Sequence, residues 1–479
     1  MHSEALSLIA GRREATDVFR DVIDPADGTT VGRVAWADAA AAGRAADAAA
    51  AAFESWSATT PRYRADLLRE AADLLAERSA DLAETLAREA GKRLPEAEGE
   101  LAFSGEYLRW FAEEARRGGG STMEGERSGR RHLTVHRPAG VALSLTPWNF
   151  PVSIQARKLA AMLAAGCTVV ARVSEQAPLA ATGLIEVLHD VGVPAGVLNL
   201  VHGPGREVTS ALIAHPATRV VSFTGSTEVG RSVMAQASEG IVRPLLELGG
   251  NAPFLVFSDA DLDAALDGAV IARLRNTGQS CVGANRFLVH EDVAEEFTER
   301  LARSFDALEL GHGLGPDRDG AGIPDLGPVI SGARAAEIGA FVTDALERGG
   351  RRVTERDDVP AEGSFVRPAL IADAPTDARI FREEIFGPVA GVWSFRSDDE
   401  AVAMANDTPM GLAAYAWTRD AGRVWSLTDR IDAGILGVND AVPSVAFAPM
   451  GGSKLSGIGR EGSSVGMEEF QETRYIAWS

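Results

Sequence analysis

The sequence predicts an α/β chain built as two layered units. Between Gly140 and Leu248 short apolar runs alternate with helical ones: VALSLT, a helix ending at Gly166, CTVVAR, a helix over 177–192, GVLNLV, a helix over 207–215, RVVSF, a helix over 227–238, and VRPLLEL. Continuous Val/Leu strands separated by helices are the pattern of a parallel sheet covered on both faces. A second strand and helix pattern follows from Pro253. No internal repeat and no long linker interrupts the two.

Before the first unit, Ala37 to Trp56 is Ala-rich, amphipathic and helical. Thr60-Pro61 reads as an N-cap with a first-turn proline. Leu67, Leu68, Ala71, Leu74, Leu75, Leu82 and Leu86 then hold helical spacing, and Gly91 is a stop. The N-terminal region is expected to be helical up to about Arg117. Gly118-Gly119-Gly120-Ser121 breaks the pattern, and an arginine-rich stretch runs from Glu124 to Pro138. It fits a solvated hairpin or a two-stranded arm used between subunits. In the second unit FLVF, RFLVH, PALIAD and VAGVWSF are strands, with helices over 259–274, 293–307, 334–348 and 399–406. The tail, 463–479, ends in the strand-like RYIAW.

The totals narrow the partners. A net charge of −21 repels phosphate backbones and anionic membranes, which argues against both as partners. The longest apolar candidate, Leu159 to Ala171, falls short of the roughly 18 residues of a membrane span. The N-terminus carries no secretion pattern. Two cysteines cannot make a disulfide framework, and no Cys/His cluster suggests a metal. The expectation is a reduced, cytoplasmic protein without metal.

Five stretches carry chemistry. Cys281 lies in RNTGQSCVGANRF, a Gly-punctuated passage from helix to strand where a thiol can face a cleft. A buried inert cysteine is the alternative. Asn149, in TPWNFP after a strand, offers an amide to a developing oxyanion, or is a turn asparagine. FTGSTEVG (Phe223 to Gly230) opens a helix after a strand and presents free N–H groups to a phosphate; HGPGREV, with Gly205, is a second incomplete version. Glu247, in ELGGNAP, is a carboxylate at the end of an apolar strand, either a general base or an ion-paired strand end. In EEIFGP, Glu384 and Phe386 stand two apart and, if extended, face one way, so that they could hold a ribose and a ring edge.

Together with PMGGSKLSGIGREG, these motifs in this order resemble the aldehyde dehydrogenase superfamily over nearly the whole chain. The resemblance implies a Rossmann-type cofactor domain (1–117 and 138–249), an α/β catalytic domain (250–447) and a small β oligomerisation arm (118–137 and 463–479), assembled as dimers or tetramers. It implies that Cys281 attacks an aldehyde, that Asn149 and the Cys281 backbone N–H hold the oxyanion, and that Glu247 activates the water that frees the acid. NAD contacts carry over to Thr146, Trp148, Arg172, Ser174, Glu175, Gly205, Phe223, Gly225, Ser226, Val229, Leu248, Gly249, Glu384 and Phe386. Glu175 would bond the adenosine ribose and repel a 2′-phosphate, favouring NAD, whereas Arg172 could pair with that phosphate and leaves NADP possible.

The C-terminal stretch resembles the succinate semialdehyde dehydrogenase branch. That resemblance implies a substrate carboxylate held by Arg157, Arg275 and Ser444, with Phe150 and Met450 lining the aldehyde pocket. Ordinary structural salt bridges are the alternative for the two arginines. An aromatic or aliphatic aldehyde is the rival substrate, and a non-catalytic oligomeric protein the rival class. Met450 stands where relatives mostly carry phenylalanine, Met410 replaces a usual tyrosine, and Gly283 stands where some carry a second cysteine.

Overall fold

The structure, a computed structural model, describes residues 4–127, 129–316 and 321–479. The chain opens with strands rather than helix: β1 (Glu4–Ala5), β2 (Ser7–Ile9), β3 (Arg12–Glu14), β4 (Phe19–Ile23) and β5 (Thr30–Ala35). The β-branched residues of β4 and β5 pair antiparallel across a turn through Gly28, at φ +73°. The expectation of an all-helical N-terminal region therefore fails over these residues. Helices then follow: α1 (Ala39–Ser57), α2 (Pro61–Glu77), α3 (Ser79–Ala90) and α4 (Leu94–Glu114). Thr60 caps α2 by accepting from the Tyr63 N–H, and Gly91 ends α3 in the left-handed region.

Next come β6 (Thr122–Glu124), β7 (Arg131–Pro138), β8 (Val141–Leu145), α5 (Pro151–Ala165), β9 (Thr168–Arg172), α6 (Leu179–Asp190), β10 (Leu198–Leu200), α7 (Gly205–Ala214), β11 (Thr218–Thr224), α8 (Thr227–Glu239) and β12 (Arg243–Glu247). The first large sheet has the order β12-β11-β8-β9-β10, all parallel, extended on one side by antiparallel β2 and β3. Ala142, Val220 and Leu245 face the core shared with α2 to α6, while Leu143, Val221 and Leu246 face the core shared with α1, α7 and α8. Strand order reverses between β8 and β11, the place where a parallel sheet opens a crevice for ligands.

The second unit holds β13 (Ala252–Val256), α9 (Leu262–Leu274), β14 (Ala284–His290), α10 (Glu291–Asp306), α11 (Gly332–Glu347), β15 (Arg351–Arg352), β16 (Ala369–Ala372), α12 (Arg379–Arg382), β17 (Val389–Phe395), α13 (Asp398–Asn406), β18 (Met410–Gly411), β19 (Ala413–Trp417), α14 (Ala421–Arg430) and β20 (Ile435–Val438). Its sheet runs β15-β16-β17-β14-β13-β19-β20. The chain then returns to the first sheet: β21 (Ser453–Lys454) pairs with β18, and β22 (Gly457–Ile458) joins the edge at β12. After α15 (Ser463–Glu468), β23 (Gln471–Trp478) pairs antiparallel with β7, and β7 with β6, as a separate three-stranded sheet. Among the described residues no helix is long and apolar enough to cross a membrane.

Candidate active site

The turn after β8 is built from buried polar contacts. Asn149 is buried, and its Nδ2 donates to the Gln279 carbonyl at 3.1 Å. Its own carbonyl accepts from Lys92 Nζ and from Asn276 Nδ2, both at 2.9 Å. Pro151 starts α5, whose first free N–H groups, on Val152 and Ser153, donate to the Glu100 carboxylate at 2.9 and 3.1 Å. Lys92 forms a fully buried ion pair with Glu100.

Cys281 follows α9. A single 3₁₀ turn, Arg275–Gly278, carries Asn276 and Thr277 at φ +54° and +53°, left-handed values that an asparagine tolerates and a β-branched threonine does not. Surrounding groups hold this loop. Buried Arg273 donates to the carbonyls of Gly278 (2.7 Å) and Ala284 (3.1 Å) and to Asn285 Oδ1. Tyr415 donates its hydroxyl to the Val282 carbonyl at 2.7 Å. A Cβ at Gly250 would stand 2.4 Å from the Cys281 carbonyl, so the β12–β13 turn also meets the loop backbone to backbone. Cys281 keeps part of its surface open to a cavity. Close packing around it pushes the thiol up to about 12; Glu384 and Glu247 act in the same direction and Arg157 against them. The resting sulfur is therefore a thiol, and attack requires a base or a nearby positive charge.

Glu247 ends β12. It is buried, and among the described residues neither carboxylate oxygen has a hydrogen-bond partner. Burial holds its carboxyl well above the usual range, Glu461 adds to this, and Arg157 and Lys158 oppose it. Glu461 is the neighbour the sequence reading missed. It is ion-paired with Lys158, accepts from Ser222 at 2.9 Å, and lies 2.6 Å from Arg157 Nε. Burial would raise its carboxyl, but Lys158 and Arg157 outweigh that and hold it down at about 2.

That arrangement corrects the expectation of two free arginines. Arg157 is buried and already neutralised by Glu461, and it also donates to Met450 Sδ at 2.6 Å. For this residue the salt-bridge alternative describes the geometry. Arg275 differs: its guanidinium lies over the Phe150 ring at 5.1 Å, and among the described residues no carboxylate pairs with it. Ser444 is half-buried in the segment after β20, and among the described residues no hydrogen bond joins it to either arginine.

The cavity at Cys281 has a volume of about 310 Å³. Asn149, Glu247 and Cys281 line it together with Trp148, Gly225, Ser226, Leu248, Gly249, Glu384 and Phe386. Sequence reasoning did not single out Pro147, Thr224, Arg334 and Glu337, which also line it. A Cβ at Gly249 would lie 2.3 Å from Glu384 Oε2, so a side chain there would push that carboxylate out of its place. Glu384 accepts from the Gly250 N–H at 3.1 Å, and burial raises its carboxyl to about 7. Phe386 shares the cavity for a reason other than strand alternation. The segment is not a strand; Phe386 sits at φ +51°, and Arg334 holds its carbonyl at 3.2 Å. The Phe386 ring meets Trp148 edge-on at 5.5 Å.

These features fit a nicotinamide dinucleotide. Ser226 caps α8 by accepting from the Val229 N–H, and the first turn of that helix opens at the cavity. Val229 is exposed there, and the Phe223 ring covers Gly225 so closely that a Cβ would lie 2.4 Å from it. At the far end Arg172 is ion-paired with Glu175 and packs on Gly205, where a Cβ would stand 2.6 Å from the guanidinium. The Ser174 hydroxyl accepts from the Gln176 N–H at 3.3 Å. The Thr146 N–H donates to the Arg172 carbonyl at 3.1 Å, and among the described residues its buried hydroxyl has no partner, nor has that of Thr224.

Comparison with known proteins agrees with this geometry. The model of the aldehyde dehydrogenase family matches residues 13–476. The chain belongs to the aldehyde dehydrogenase family. It is 41% identical over 458 residues to the glutarate-semialdehyde dehydrogenase of Pseudomonas putida, covering 96% of this chain and 94% of that one. It is also 41% identical to the succinate-semialdehyde dehydrogenase (NADP(+)) GabD of Escherichia coli, covering 95% and 93%. A solved succinate-semialdehyde dehydrogenase from Burkholderia pseudomallei superposes with a TM-score of 0.96 at 40% identity, covering 99% and 98%. As a member of this family the chain is an oxidoreductase acting on aldehydes.

Lys158 and Glu461 escaped the sequence reading because 303 positions separate them; Lys92 and Glu100 are only 8 apart, but the turn they hold, at Asn149, lies 57 positions after Lys92. The available signal was the run of charges inside otherwise apolar helices, as at Arg157-Lys158, which are costly to bury alone.

Proposed function

We propose that the chain oxidises a short aldehyde with a distal carboxylate, succinate semialdehyde first, to the free acid, with NAD as the favoured acceptor. The observation that carries the substrate class is Arg275, a cation without a carboxylate partner among the described residues, six residues before the nucleophile and over the Phe150 ring. A half-buried guanidinium, with its planar fork of donors, is matched by an anionic ligand. The names of the similar proteins, succinate- and glutarate-semialdehyde dehydrogenases, point the same way.

In this reading the Cys281 sulfur passes its proton to water in the cavity and bonds to the aldehyde carbon. Asn149 Nδ2 and the Cys281 backbone N–H donate to the resulting oxyanion. The bound dinucleotide supplies the acceptor for the hydride that leaves that carbon, and a thioester remains on Cys281. Glu247, whose oxygens are free, takes a proton from water; the hydroxide adds to the acyl carbon and the carbon–sulfur bond breaks. Trp148, Ser226, Glu384 and Phe386 hold the dinucleotide, and Glu175 favours an adenosine ribose without phosphate. The paired Arg172 leaves NADP usable. The exposed outer edge of β23, with Tyr475 and Trp478 open, supports assembly into dimers or tetramers, and the two free cysteines fit a reduced cytoplasmic setting.

A rate screen tests this: semialdehydes of several chain lengths and benzaldehyde, each with NAD and NADP. The proposal requires the carboxylate-bearing series to have the highest kcat/KM. Equal or better rates with benzaldehyde would turn the assignment to the aromatic rival.

A further inference from the structure

The Lys92–Glu100 pair is the most deeply buried ion pair in contact with the site, with side chains at 0% and 1% exposure. Burying two charges costs more than their attraction returns unless the geometry satisfies both. Here each is satisfied by the turn that carries Asn149. Lys92 Nζ faces the Glu100 carboxylate, the Asn149 carbonyl at 2.9 Å and the Phe150 ring at 4.5 Å. Glu100 in turn caps the first turn of α5 immediately downstream.

The nucleophile loop grips the same carbonyl from the other side. Asn276 Nδ2 donates to it at 2.9 Å, and the Asn276 N–H donates to Glu96 of α4 at 2.8 Å. One amide hydrogen of Asn149 is spent on the Gln279 carbonyl, two residues before Cys281. With the backbone fixed on both sides and one hydrogen committed, the other hydrogen has one direction left to it, into the cavity that Asn149 lines.

We infer that Lys92, held by Glu100, is a positioning residue for the oxyanion donor: α3 and α4 set the aim of the Asn149 amide relative to Cys281. The inference rests on the reading of Asn149 given above. Displacement of a reacting group by about an ångström costs on the order of a hundredfold in rate. Lys92→Met is therefore expected to slow the first turnover by roughly tenfold to a hundredfold, with the affinity for the dinucleotide unchanged.

The test is a double-mutant cycle on the pre-steady-state rate of reduced dinucleotide formation, using Lys92→Met, Asn149→Ala and the pair. If Lys92 acts through Asn149, the double variant is no slower than Asn149→Ala alone. If Lys92→Met slows the Asn149→Ala enzyme by the same factor as it slows the unaltered one, or slows neither, the inference is overturned. An Asn149→Ala enzyme at full speed would instead remove the oxyanion reading itself. Asn276→Gly deletes the second donor to the same carbonyl without stranding a charge, keeps the left-handed backbone accessible, and runs the same cycle where Lys92→Met does not fold.

Discussion

The two walls of the catalytic cavity are built on opposite terms. On the nucleophile side each polar side chain is engaged, with only single atoms, Arg273 Nε and Asn276 Oδ1, left over among the described residues: Arg273 holds two carbonyls and Asn285, Tyr415 holds Val282, and Asn276 holds Asn149. On the base side, among the described residues, neither oxygen of buried Glu247 has a partner, nor has the hydroxyl of Thr224, which lines the same cavity. Folding tolerates such orphans rarely, because each forfeits its hydration. Side chains that hold a shape are engaged through most of their donors, whereas the carboxylate that must meet water is left wholly open.

That contrast can be broken from either side. The largest effect belongs to Cys281→Ala, which should remove turnover by a factor on the order of 10⁶ with the melting temperature unchanged, measured as dinucleotide reduction. Glu247→Gln comes next: steady-state turnover should fall by roughly 10² to 10⁴, while a first-turnover burst persists because water, not Glu247, takes the thiol proton during acylation. Equal loss of burst and steady state would place Glu247 in the first step instead. The raised carboxyl of Glu247 also fixes a direction with pH: it is protonated and idle at low pH, so hydrolysis of the thioester should accelerate as pH rises, and Glu247→Gln should flatten that rise.

Arg275→Ala should lower kcat/KM for a semialdehyde by about 1.5–3 kcal/mol, the range of a charged hydrogen bond, and leave benzaldehyde nearly unaffected. Arg157→Ala should behave differently. It removes one of the two cations that hold Glu461, leaving Lys158 as the other, so its cost should appear with both substrates and in the melting temperature. The smallest effect lies outside the cavity. Glu89 caps α6 by accepting from the N–H groups of Leu179 and Ala180, at 2.7 and 2.8 Å, and burial raises its carboxyl from 4.5 to about 8. A raised acid stabilises the fold most below its unfolded value, and that contribution is lost as pH climbs through the folded one. Unfolding titrations should show stability declining between about pH 4.5 and 8, less steeply in Glu89→Gln.

What the sequence disclosed follows the same division. Cys281, Asn149 and Glu247 sit at strand or helix ends in short local patterns, so their approach to one cavity could be expected from the alternation of elements. The first 35 residues could not be read in that way: their strands are two to six residues long and make sense only once paired. Arg157 exposed a different limit. Spacing placed it correctly on α5, but whether its charge is already paired depends on Glu461, three hundred and four positions later, and no local pattern carries that information. Glu384 and Phe386 reach the cavity through a left-handed turn rather than the extended run their spacing suggested.

The isolation of the nucleophile has a further consequence under oxidative stress. Val282 and Gly283 follow Cys281, and the other thiol, Cys167, is fully buried where β9 begins and bonded to the Phe470 carbonyl. A sulfenic acid formed on Cys281 by peroxide would find no thiol of its own chain to condense with, so its rescue would fall to small thiols able to enter the cavity, and without them oxidation would proceed to the irreversible sulfinate.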